Sequence, residues 1–241
     1  VQWQWDCTDN GSYDVTSATA TGGSCSYDDN GSYTVRLRVT DDDGATDDSA
    51  TASVSIDNAD PNLVSVTIPT GDEGTPLALD AYATDVLSDT LTYTWDFGDG
   101  TTGTGDSVNH VFTDDGSFQV TVTVTDDDGG STTFTDTATI TNVAPTVVVT
   151  GPTTGDEGAL LSFTATGSDA GADDVATLTY AWDWGDGATG TGAVADNVYG
   201  DNGTWTITVT VDDQDGGVTS ETWTVTTANV DPSITSTAPV N

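Results

Sequence analysis

The chain contains no lysine and no methionine, and its only bases are Arg36 and Arg38 beside a single histidine, His110. Two bases against forty acids leave a formal net charge of −38. Such a field repels phosphate and anionic headgroups, so nucleic acid and anionic membrane are poor partners. No apolar run approaches the roughly 18 residues of a membrane span, so no membrane insertion is expected in this segment. No stretch reads as a signal peptide either, but the chain begins in mid-pattern, so that says little about export. Ser-His pairing, a phosphate loop and zinc spacing are all missing.

Glutamate is scarce too. Only Glu73, Glu157 and Glu221 interrupt an acid complement that is otherwise aspartate. Aspartate beside Gly, Asn and Thr suits turns and short-armed ligands for hard cations. So acidic a composition could also belong to a disordered chain, but regular Val/Thr alternation and the aromatics argue against that. Apolar residues make up 34% and aromatics 8%, enough to seed several small cores rather than one large one.

What is present is repetition. The stretch YTWDFGDG (Tyr93 to Gly100) returns as YAWDWGDG (Tyr180 to Gly187) and, altered, as WQWDCTDNG (Trp3 to Gly11). Trp5, Trp95 and Trp182, like Pro61, Pro145 and Pro232, recur at a spacing of roughly 85 to 90 residues. Between successive prolines lie an opening strand, a GDEG turn, a second strand, the Trp-Asp strand, a Gly/Thr-rich hairpin, a long Val/Thr strand and a closing Thr/Ala strand.

Within each strand the period is two. Phe118, Val120, Val122 and Val124 alternate with Gln119, Thr121 and Thr123; Trp205, Ile207, Val209 and Val211 repeat this, as do Tyr33, Val35, Leu37 and Val39. This is the pattern of antiparallel strands with one face on a core and one in water. Gly, Asn and Asp clusters supply the turns. Each repeat therefore reads as a small β-sandwich that needs no helix. By the same parity Tyr93, Trp95 and Phe97 face inward, as do Tyr180, Trp182 and Trp184, whereas Asp96 and Asp183 face out. Cys7 replaces the third ring of the first repeat, and Cys25 lies near its inward Tyr27. Parity allows a bridge between them, which would stabilise the repeat by about 3 kcal/mol.

YTWDFGDG, the later NHVF and GSFQVTVTVTDDDGG closely resemble the polycystic-kidney-disease (PKD) repeat. The resemblance covers essentially the whole chain. It implies an all-β array of tandem immunoglobulin-like sandwiches arranged as a rod. The expected domains are residues 1–60 (partial, lacking its opening strands), 61–144 and 145–231, with 232–241 the opening strand of a further domain or a strand donated head-to-tail to another copy. It also implies an extracellular or cell-surface spacer, adhesive or lattice-forming module, and no activity. The first repeat departs from the pattern, with Cys7 and Thr8 where the others have an aromatic and a glycine.

Paired acids such as Asp96 and Asp99 have the composition of a glycosidase pair, but they recur in every repeat at a strand end without a partner group, so catalysis is not expected. His110 is replaced by Cys25 and Asn197 elsewhere, so it reads as packing. Asp213-Gln214-Asp215-Gly216 is similar to the start of an EF-hand loop but lacks the glutamate that closes one. Calcium is the better expectation. In an immunoglobulin-like unit the last hairpin lies at the pole where the chain enters, and the GDEG turn lies at the opposite pole. Glu73 is thus expected to meet Asn142, Asp169, Asp213 and Asp215, with Asn58, Asp85, Asp126 and Asp128 forming the equivalent upstream set. Acids gathered at a joint repel unless a cation bridges them. The alternative is that these aspartates only satisfy turn amides.

Asn10, Asn30 and Asn202 open Asn-Gly-Ser/Thr triplets, which are glycosylation acceptors or simply hairpin turns. The sequence points to a calcium-stiffened shaft or wall of a filament, surface layer or adhesin, whose partners are further repeats or copies of itself. The alternative is a substrate-binding spacer of a secreted hydrolase, which should expose a row of aromatics; Trp3 and Trp223 are the rings to examine.

Overall fold

A computed structural model describes residues 1–233, so the strand expected over 232–241 lies outside the described residues apart from its first two positions. Among the described residues the fold is all-β, with one three-residue 3₁₀ turn, Asp174–Ala176. Two compact units are formed. One comprises Val1–Ile68, Ala78–Val108 and Gln119–Asp136; the other comprises Pro69–Leu77, Asn109–Phe118 and the chain from Thr137 on. The division passes through the middle repeat, so each joint between successive repeats lies whole inside one unit.

In the second unit the third repeat is a complete sandwich. One sheet has the order Thr146–Thr150, Leu160–Ser168, Val194–Val198; the other runs Thr154–Asp156, Val218–Ala228, Gly203–Asp212, Thr179–Asp183, Thr189–Thr191. Trp182, Trp184, Phe163, Tyr199, Ile207, Val209 and Val211 form its core. Trp182 and Trp184 stack with centroids 5.1 Å apart, as offset rings prefer. The alternation read from the sequence is the alternation of burial along Gly203–Asp212.

The middle repeat uses the same strand order. Ser107–Val111, Pro76–Thr84 and Asn62–Thr67 form its three-stranded sheet. The larger sheet has Thr102–Thr104, Thr92–Asp96, Gly116–Thr125, Ser131–Thr141 and Gly71–Asp72. Trp95, Phe97, Val120, Val122 and Val124 are buried. The last short strand of each larger sheet pairs parallel with the closing strand: Gly71–Asp72 beside Ile140 and Thr141, and Thr154–Asp156 beside Thr226 to Ala228. That pairing delivers the glutamate of each GDEG turn to the point where the chain leaves the repeat.

The first repeat is a single sheet in the order Val15–Ser17, Gln2–Asp6, Gly31–Thr40, Thr46–Asp48, with Ala52–Ile56 also on Gly31–Thr40. No second sheet covers it among the described residues, so Val35, Leu37 and Val39 are only half-buried where Val120, Val122 and Val124 are fully buried. Cys7 and Cys25 form a disulfide with Cα atoms 5.7 Å apart, within the usual range.

Candidate functional site

The aspartates of the Trp-Asp phrase organise turns. Asp96 accepts from the Gly98 N–H at 3.0 Å and Asp183 from the Gly185 N–H at 2.9 Å; Asp99 and Asp186 take the N–H groups of Thr101 and Ala188. Gly98 has φ +80, and a Cβ there would lie closer than 3.0 Å to the Gln119 backbone, so only glycine fits. The Trp95 and Trp182 indoles donate to the Gly105 and Gly192 carbonyls. In the first repeat buried Asp6 gathers the N–H groups of Thr8, Asn10 and Gly11.

The remaining acids concentrate where one repeat meets the next. At the first joint two groups of carboxylates converge, Asp29 with Asp89 and Asp128, and Asp85 with Asp89 and Asp126, each group with oxygens within 4.8 Å of one another. Asn58 donates to Asp126 at 2.8 Å, and the N–H groups of Asp128 and Gly130 bind its other oxygen. The Asn58 amide and these backbone donors hold the Asp126 carboxyl below its ordinary pKa. Burial, then the charges of Asp85, Asp29 and Asp128, push Asp89 up. Oδ2 of Asp85 and of Asp89, both buried, have no hydrogen-bond donor. Ser88 donates to the Asp28 carbonyl, which ties the first repeat to the second directly.

At the second joint Asp213 plays the part of Asp126. It is fully buried, accepts from Asn142 at 3.0 Å and takes the N–H groups of Asp215 and Gly217. Burial pushes its carboxyl up, but these donors outweigh burial and hold it low. Asp215 converges with Asp114 and Asp115, the counterparts of Asp29 and Asn30 one repeat on. Glu73, fully buried, converges instead with Asp114 and Asp174. One Glu73 oxygen accepts the Val143 N–H at 2.7 Å; the other has no donor, nor do Oδ2 of Asp174 and of Asp169. Burial first, and then the facing Glu73 charge, push Asp174 up to about 7; burial likewise raises Glu73. The repeats approach closely here, since a Cβ on Gly74 would lie closer than 3.0 Å to the Ala170 carbonyl. Thr113 also exchanges two hydrogen bonds with Asp173.

Asn58 and Asp85 lie with Asp126, whereas the Asp128 carboxylate groups with Asp29 and Asp89; Asp213 joins Asn142. Glu73 sits beside Asp174 and Asp114 rather than among the oxygens of Asp213 and Asp215. Asp126 and Asp213 spend much of their capacity on turn amides. Sequence reasoning passed over Asp29, Asp89, Asp114, Asp115 and Asp174. The recurring Asp-x-Gly before each long Val/Thr strand was the available signal for Asp29 and Asp114. Of the three sequons, Asn10 and Asn202 are exposed, whereas Asn30 is half-buried at the first joint.

The PKD domain family model matches residues 1–56, 58–141 and 142–228. Among solved structures, the PKD1 domain of Vibrio anguillarum Epp is 28% identical, spanning 35% of this chain and 96% of its own, with a TM-score of 0.29. The PKD1 domain of the Vibrio cholerae metalloprotease PrtV is 31% identical over 34% of this chain and 98% of its own, with a TM-score of 0.29. The amphioxus IgVJ-C2 molecule matches 66% of this chain and 99% of its own at 16% identity, with a TM-score of 0.42. Among the described residues no helix is long and apolar enough to cross a membrane.

Proposed function

Because the chain belongs to the PKD-domain family over three consecutive segments, we propose that it is a non-catalytic extracellular structural module, a shaft or wall element of a filament, surface layer or adhesin whose joints calcium stiffens. One observation carries this reading: at both joints carboxylates from two successive repeats converge with oxygens that no protein donor reaches. Hard, flexible oxygen ligation of this kind suits calcium better than zinc or copper. A cation bridging two repeats turns repulsion into attraction and removes freedom from the linker between them. Its partners are further repeats or neighbouring copies, and Asn10 and Asn202 are the acceptors exposed enough to carry glycans.

The second reading, a spacer of a secreted hydrolase, draws on the PrtV relative, a domain of a metalloprotease. A substrate-binding spacer wants a row of exposed rings. Here Trp223 packs against the third core and donates to the Pro152 carbonyl, and Trp3 is half-buried. The structural reading is therefore preferred.

Differential scanning of the chelated chain against added calcium tests it. Binding to the folded state alone raises stability by mass action, about 2.7 kcal/mol at a hundredfold excess over Kd. The melting temperature should rise with calcium through the millimolar range. An unchanged melt would sink the calcium joints.

A further inference from the structure

The two joints differ in one respect that bears on what each can hold. At the first, Asp29 and Asp128 are exposed; at the second, Glu73 and Asp174 are shut away at 0% and 3% exposure. Glu73 lies at the end of Gly71–Asp72, where its own N–H donates to the Thr141 carbonyl at 3.1 Å. Its carboxylate is divided between two tasks. Oε1 takes the Val143 N–H of the departing linker, while Oε2 points at Asp174 Oδ2 across a space bounded by Gly171. A Cβ on Gly171 would come closer than 3.0 Å to both oxygens. Buried acceptors without donors cost several kcal/mol, more when charged.

Resting on the calcium-joint reading above, we propose that Glu73 Oε2, Asp174 Oδ2 and the Asp114 carboxylate hold one divalent cation in a closed site between the second and third repeats, separate from the shallower groups at the first joint. Asp169 Oδ2 and Asn142 Oδ1, both buried and without donors, lie in the same joint as further hard oxygen donors. Four carboxylates and one neutral amide oxygen make a set of the kind that calcium takes, and the enclosure favours an ion that sheds most of its water. Magnesium, which dehydrates reluctantly and demands an octahedron, suits it less. Through Glu73 the same side chain that fixes the linker also meets the ion, so occupancy couples the two repeats.

Calorimetric titration of calcium alone into the chelated full chain tests this, with E73Q, D174N and, at the other joint, D128N. E73Q and D174N should each weaken one class of site by about tenfold or more, while D128N leaves that class unchanged. Gly171→Ala should weaken the same class by filling its space. In chelator, E73Q should melt no lower than the parent, because it removes one of two facing charges, yet gain less from calcium. A purely structural Glu73 would instead lower the melt equally with and without calcium, and that result overturns the proposal. So does an E73Q titration matching the parent's, which leaves the broader calcium reading standing. A parent chain that takes up no calcium at all brings down both.

Discussion

Glu73 and Asp174 face each other, and the consequence can be read from a pH titration. Asp174 is raised to about 7 by burial and by the Glu73 charge, with Asp114 and Asp169 adding to the repulsion. In the unfolded chain the same group titrates near 3.9. Between those values the folded state binds the extra proton, so stability falls as pH rises through that window. The chelated chain should therefore melt higher at pH 5 than at pH 8. Saturating calcium competes with that proton, so the loss on going to pH 8 should shrink or vanish. Melting curves at the two pH values with and without chelator check this; a chelated melt that rises with pH would contradict it. Asp126 and Asp213 work in the opposite sense, since their amide donors hold them low, but their effect belongs to more acidic solution.

At the level of strands, the same Val/Thr alternation yields two environments. Ile207 in Gly203–Asp212 is sealed between two sheets, whereas Leu37 in Gly31–Thr40 has a sheet on one side only. Ile207→Ala should cost about 2–5 kcal/mol, and Leu37→Ala less than about 2 kcal/mol. Denaturant unfolding of the two variants decides it, and equal losses would mean that Leu37 is as well covered as Ile207. Period-two patterning made the strands, the inward rings and the Cys7–Cys25 bridge legible, because side-chain direction along a strand follows from parity alone. Turns carry no such period. Asp174 reaches Glu73 from a 3₁₀ turn in a loop longer than its counterpart around Asp89, and Glu73 is aimed by a two-residue parallel strand. Neither direction can be counted off along the chain. Nothing along Gly31–Thr40 itself marks the half-open face of the first repeat, since that strand reads like its covered equivalents; the face follows instead from the opening strands that repeat was expected to lack.

Across the whole chain, trypsin has only Arg36 and Arg38 to attack. Arg36 pairs with Asp9 at 2.9 Å, and Arg38 binds Asp48 through two hydrogen bonds and lies 4.3 Å from the Tyr13 ring centroid. Both sit in Gly31–Thr40, a strand paired on either side, so cleavage needs local opening that the disulfide in the same repeat opposes. The calcium-loaded chain should resist trypsin and be cut after Arg36 or Arg38 only when calcium and the disulfide are both removed; rapid cutting of the loaded, oxidised chain, read by mass spectrometry, would refute this. The linker latch has a wider consequence. Glu157 holds the Val230 N–H at 2.9 Å as Glu73 holds that of Val143, so in each of these repeats the glutamate grips the linker that leaves, while the linker that enters is held by a different residue, Asp126 or Asp213. The contact is heterologous, with unlike surfaces on its two sides. Turned about, a repeat would offer its neighbour the wrong half. Such an array has polarity: its two ends are chemically different, and whatever anchors or extends it can tell one from the other.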